Sequence, residues 1–403
     1  MKVAFLFSGL PHYLIALLNN LVSAYGMEVH LILPLKTGMS LGEGVRQGDE
    51  QSNYLFSVHY LEEFRGRLNK PYFRNLYGTL NGLSPEILVI GWPYILNFYF
   101  DTASRGLLKS KNISLVYREI PFMVAPRNKA ISYYRKHPVI NENLEVDQPR
   151  GCKFYPWAVV LNQVRKRIYR LADATMVYAS HGIAIHEGFG VPGEKIFLTY
   201  NSPDTASIEK IRLKLSGEGV SAANPKRILH LGRLVKWKRV DLLIEAVAKL
   251  ADRHRDIELC VIGAGPEEEN LKALARKKLP EGVVRFTGSI YDPETLGREI
   301  MASGIYVLAG MGGLSINEAM AYGKPVICSR CDGTERDLVT DGINGYFFRE
   351  GDADDLASKL ELVLTDPGKV KALGDHSLRV IREKINLETV TRRFADCFES
   401  LKR

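Results

Sequence analysis

No run of apolar residues in this 403-residue chain is long enough to cross a bilayer as a helix, which excludes an integral helical anchor from the reading. The first residues, MKVAFLF, lead straight into Gly9 and Pro11 and read as a strand with its turn, not as a signal peptide. Cysteine is scarce, at Cys152, Cys260, Cys328, Cys331 and Cys397. Cys260 and Cys328 fall on expected core strands, and Cys328 with Cys331 makes a lone CxxC lacking a second pair or nearby histidines. That usage points to a reduced, cytoplasmic protein without structural zinc, and no other metal-ligating cluster is visible. Strict repeats and low-complexity tracts are also absent. What is present is a globular composition, 46% hydrophobic and 25% charged, with length enough for two domains and a core in each.

Acidic residues are outnumbered, 46 against 54 Lys and Arg, for a net charge of +8. Residues 1–220 hold 25 basic and 18 acidic side chains, so the first half carries nearly all the excess. Between Arg127 and Arg170 ten basic residues stand against three acidic ones, interleaved with Tyr133, Tyr134, Phe154, Tyr155 and Trp157. Such a stretch suits a lipid-linked acceptor or the anionic inner face of a cell membrane; it is equally the composition of a solvated basic face. Nucleic acid is not expected as a partner, because no recognition module is visible and the cations do not share one helix.

Short apolar runs alternate with helical periodicity throughout. In the first half strands are expected at 2–7, 29–33, 87–90, 114–118, 174–178 and 196–199, with helices that include 13–24 and 159–172. This is the pattern of a doubly wound α/β domain. Residues 201–224, whose second half is rich in Gly, Ser, Ala and Asn, read as a linker, and a second α/β domain follows.

The densest chemistry lies in 309–327, AGMGGLSINEAMAYGKPVI. An apolar strand precedes it, Gly310, Gly312 and Gly313 allow a sharp turn, and 314–322 are good helix formers. Backbone N–H groups left uncovered at such a turn favour a phosphate. Glu318, just over one turn into the helix, offers a carboxylate able to accept two hydroxyl hydrogen bonds, as a ribose diol would donate. An ordinary strand-to-helix turn with a solvated Glu fits the same residues. Upstream, 227–250 runs from a strand through Gly232 into a basic loop and a helix with apolar positions Leu242, Leu243, Ala246, Val247 and Leu250. Arg233 and Lys238 thus stand where a strand ends and a helix begins, and open α/β sheets bind ligands there. Two cations suit a diphosphate. Residues 257–265, IELCVIGAG, form a strand ending in a glycine turn at Gly263, followed by a helix through 278 that opens on Glu267, Glu268 and Glu269. Those carboxylates argue against phosphate at that particular end.

The order GRLVKWKRVDLLIEA, VIGAGP, VRFTG, GLSINEAMAYGKPVI, GTERDLVTDGINGYFF and GDADDLA, over about 227–360, resembles the C-terminal half of the group-1 retaining glycosyltransferases. The resemblance implies the GT-B architecture, two doubly wound Rossmann-like α/β domains facing a central cleft. It implies an acceptor-binding domain over 1–205, to which a helix at 386–403 crosses back, and a donor-binding domain over 206–385. It implies that Arg233 and Lys238 hold a donor diphosphate, that Glu318 holds the ribose, and that Gly313, Leu314 and Ser315 bind phosphate and sugar through their backbone. Gly9, Gly232, Gly263 and Gly312 complete the expected donor site. In the first half His12, Arg118 and Glu119 are candidates for acceptor or sugar, against an exposed loop histidine and a strand-end ion pair. Trp92 and Tyr94 are candidates for stacking on a sugar, against core packing.

Two departures stand out. The family commonly has two glutamates separated by seven residues, the first touching the donor sugar, and that first position is Gly310 here. Its usual Lys-Gly pair is Lys238-Arg239. The function implied is transfer of a sugar from a UDP- or GDP-sugar to a hydroxyl of a saccharide or lipid-linked acceptor, in polysaccharide or glycolipid synthesis. No cofactor or metal is expected, and nucleotide sugar is a co-substrate. Two alternatives fit the residues: a nucleotide-sugar epimerase of the same fold, or a catalytically silent sugar-nucleotide or membrane-binding module.

Overall fold

The computed structural model describes residues 1–35, 54–119, 124–136, 154–220, 224–331 and 333–402. Cys152 and much of the basic stretch, 137–153, lie outside the described residues. The chain divides into two compact units, Met1–Tyr200 together with Glu388–Arg403, and Asn201–Leu387.

The first unit is built on a seven-stranded sheet of β1 (Lys2–Leu6), β2 (Glu28–Pro34), β3 (Ser57–Leu61), β6 (Ile87–Gly91), β7 (Ser114–Glu119), β8 (Ala174–Val177) and β9 (Ile196–Leu198). The small strands β4 (Glu63–Arg65) and β5 (Pro71–Phe73) form a separate antiparallel pair. All neighbours in the large sheet are parallel, in the order β3-β2-β1-β6-β7-β8-β9. A parallel sheet covered on both faces needs strands that are apolar throughout. Val3, Ala4, Phe5 and Leu6 are accordingly all fully buried, as are Leu88, Val89 and Ile90. The helix Leu387–Ser400 supplies Phe394 and Phe398 to this core, the latter edge-on to Phe5 with 6.0 Å between ring centres.

The second unit has six parallel strands: β10 (Arg227–Leu231), β11 (Glu258–Ile262), β12 (Val284–Gly288), β13 (Ile305–Leu308), β14 (Val326–Ser329) and β15 (Gly345–Phe348). Their order is β12-β11-β10-β13-β14-β15. The chain winds outward from β10 in one direction and from β13 in the other, so the switch point lies between these two central strands. A doubly wound sheet opens a crevice at the carboxyl ends of the strands there. The helix Val240–Ala251 covers one face with Leu242, Leu243, Ala246, Val247 and Leu250 buried, the spacing its sequence predicts.

The expected linker is a correction. Residues 205–217 form a 13-residue helix, Thr205–Gly217, whose start is capped by Asp204 accepting from the Ser207 N–H at 3.1 Å. Ile208 and Leu215 are buried on it, and it packs within the second unit against the helices Pro293–Met301 and Ser315–Ala321. The Gly- and Ser-rich composition that suggested a linker begins only at the helix's last turn.

Candidate functional site

Two segments meet at the switch point of the second sheet. One follows β10: Gly232, Arg233 and the short helical turn Lys236–Lys238. The other follows β13: Ala309 to Leu314, leading into the helix Ser315–Ala321. Parallel pairing of Ile228 with Ile305 and Leu229 with Tyr306 sets their register. Arg233, Lys238, Gly232, Gly312, Gly313, Leu314, Ser315 and Glu318 are brought together in this way.

Three hydrogen bonds stitch the two segments. The Met311 N–H donates to the Trp237 carbonyl at 2.8 Å, and Lys238 Nζ donates to the carbonyls of Met311 at 2.9 Å and Gly312 at 2.5 Å. Lys238 is only 7% exposed. Two carbonyls at these distances hold the ammonium rigidly in place between the segments. His230, fully buried on β10, is held neutral: burial, reinforced by the Lys238 charge, lowers its pKa to about 3. Arg233 is half-buried with its guanidinium 5.7 Å from the Trp237 ring centre, and burial lowers its pKa.

The glycines are there for steric reasons. A Cβ on Gly310 would lie 2.0 Å from the Trp237 carbonyl oxygen and 2.8 Å from the Lys238 carbonyl carbon. Backbone occupies that space, so no side chain fits at 310 while the two segments are stitched. Gly313 has φ +153°, a value L-residues rarely adopt, and its Cβ position is 3.2 Å from Lys238 Nζ. Arg239 takes the left-handed conformation a glycine would hold, with φ +52°, and a bidentate pair to Asp241 fixes it, with Nε and Nη2 3.1 Å from the carboxylate oxygens.

Glu318 is half-buried in the first turn of its helix, and among the described residues its carboxyl has no hydrogen-bond or ion-pair partner. Desolvation without compensation raises its pKa to about 7. Gly263 stands at the end of the neighbouring β11, its N–H donating to the Gly288 carbonyl at 2.9 Å.

The remaining candidates belong to the first unit. Gly9 lies in the loop after β1, and His12 is exposed at the start of the helix His12–Tyr25. Arg118, near the end of β7, has its guanidinium between the rings of Phe7 and Phe394, 5.8 Å from each centre. Glu119 is 3% exposed and lies 3.5 Å from Arg165. Burial raises its pKa and Arg165 opposes the shift. Tyr94 is fully buried, donating to Glu63 at 2.5 Å, and belongs to the core instead of offering a stacking face. Sequence reasoning missed Tyr306, whose phenol donates to Ser315 Oγ at 2.8 Å from inside β13. A hydroxyl within the otherwise apolar IYVL was its only signal. Among the described residues no group of three or more His, Cys, Asp or Glu side chains is arranged to hold a metal ion.

Comparison with known proteins places this geometry. Residues 212–379 match the model of the family glycosyl transferases group 1. An uncharacterized glycosyltransferase of Methanocaldococcus jannaschii is 31% identical over 183 residues, 44% of this chain and 46% of the relative. A lipopolysaccharide core biosynthesis glycosyltransferase of Rhizobium meliloti is 29% identical over 167 residues, 41% of this chain and 47% of the relative. The chain spans about half the length of the curated relatives it matches. Among solved structures, Anabaena HepE in complex with UDP superposes with a TM-score of 0.68 at 17% identity, covering 99% of this chain and 100% of that one. The chain thus resembles the glycosyl transferases of group 1 in sequence over residues 212–379, and its two α/β units have the GT-B architecture of those enzymes.

Proposed function

We propose that this protein is a retaining glycosyltransferase that moves a sugar from a UDP- or GDP-sugar to a hydroxyl of a saccharide or lipid-linked acceptor, in polysaccharide or glycolipid synthesis. The observation that carries the reading is the convergence of a fixed ammonium, a glycine turn and a partnerless carboxyl at one switch point. The structural relative solved with UDP, and the relative named for lipopolysaccharide core synthesis, support it.

In this reading Lys238 and Arg233 stabilise the charge that grows on the departing diphosphate. Glu318 accepts from the ribose hydroxyls, which restores to its carboxylate the partners it lacks. The acceptor hydroxyl attacks the face the nucleotide leaves, and a phosphate oxygen takes its proton. No protein nucleophile is needed at position 310, where none fits. Arg118 and His12 of the first unit are proposed to bind the acceptor.

Thermal stabilisation by UDP, GDP, ADP and CMP and their sugars tests the donor site, since a ligand of the native state raises the melting temperature with its affinity. One nucleotide class is expected to shift wild type clearly and Lys238→Ala and Glu318→Ala weakly. No shift by any of them counts against a transferase. Nucleotide release that requires acceptor separates transfer from epimerisation and from silent binding.

A further inference from the structure

Ser315 opens the helix after the glycine turn and is half-buried. Its oxygen accepts the phenolic proton of Tyr306, a fully buried residue of the central strand β13. Burial pushes the phenol's pKa up, so Tyr306 keeps its proton at physiological pH. With one lone pair of Ser315 Oγ engaged, the serine proton must point elsewhere. Among the described residues it has no acceptor. Donation by the phenol also polarises the serine O–H and makes it a better donor in turn. Two residues before it is Gly313, whose Cβ position is 3.2 Å from the Lys238 ammonium, so the strongest acceptor this corner can recruit is an anionic oxygen.

We infer that Tyr306 is a positioning residue: it aims the Ser315 hydroxyl as a hydrogen-bond donor to a phosphate oxygen of the bound nucleotide. The inference rests on the proposed donor site and deepens it. It assigns recognition to the serine side chain and a role to a residue that touches no ligand.

Calorimetric titration of UDP and of uridine into wild type, Tyr306→Phe, Ser315→Ala, Ser315→Thr and the double variant Tyr306→Phe/Ser315→Ala provides the test; GDP with guanosine replaces the pair if wild type prefers guanine. Tyr306→Phe and Ser315→Ala are each expected to weaken the diphosphate about 3- to 10-fold while leaving the nucleoside within about 2-fold. The double variant should bind like Ser315→Ala alone, and Ser315→Thr should retain affinity. A merely structural tyrosine would weaken nucleoside and nucleotide together. That outcome, additive losses, or wild-type affinity in Tyr306→Phe overturns the inference. Failure of wild type to bind any nucleotide would instead sink the donor-site reading beneath it.

Discussion

Glu318 and Gly310 define the site at the level of single residues. The Glu318 carboxyl titrates near 7 in the folded protein against an ordinary 4.5, so the folded state holds an extra proton between those values. Its contribution is fully present below pH 4.5 and is lost as pH rises through 7. Glu318→Gln is therefore expected to raise the ligand-free melting temperature at pH 8, by a gain on the order of 1–3 kcal/mol, and to change little near pH 4. Melting curves across pH 4–8 check this. Binding of a ribose diol needs the carboxylate, so nucleotide affinity should climb from pH 6 to pH 8 in wild type and stay flat in Glu318→Gln. Gly310 is constrained by backbone atoms that cannot swing aside. Gly310→Ala should cost roughly 2 kcal/mol or more in urea unfolding, and Gly310→Glu should gain no activity from its new carboxylate. Wild-type stability in Gly310→Ala would refute the steric account.

At the scale of elements, the helix Thr205–Gly217 depends on its Asp204 cap. Asp204→Ala should lower stability by about 1 kcal/mol, read as a shifted denaturation midpoint with unchanged slope. The helix Phe154–Tyr169 presents Trp157 and Val160, 40% and 61% exposed, on a helix that also carries Lys166 and Arg167. If this face meets an anionic membrane, one of the two readings its composition suits, the protein should sediment with phosphatidylglycerol vesicles at low salt, and Trp157→Ser should reduce the bound fraction. Equal sedimentation with neutral vesicles would contradict the electrostatic part. The long apolar strands were legible because parallel strands buried on both faces need unbroken apolar runs. β3 was not legible, for SVHYL lies at the sheet edge with mixed exposure and no clear period. The helix at 205–217 was hidden by composition, since a weakly amphipathic surface helix beside Gly and Ser looks like a linker. Lys238 and Glu318 could be placed from motif spacing, whereas the burial of Glu119 and the blocked space at 310 depend on contacts across the sheet that no local pattern encodes.

For the whole molecule, the division of the chain matters as much as the sheets. The first unit is completed by Glu388–Arg403, which buries Phe394 and Phe398. Phe398→Ala should cost about 3–5 kcal/mol and increase hydrogen exchange in β1, while leaving β10 and β13 protected. Uniform loss of protection would contradict this. The same arrangement orders events during synthesis. Residues 201–387 are complete on emergence from the ribosome and can fold at once, as domains generally do. The unit made first must wait until Phe398 is translated, with Phe5 on β1 and its aromatic core unsealed. The stretch of chain most in need of chaperone protection is therefore the one that has been outside the ribosome longest.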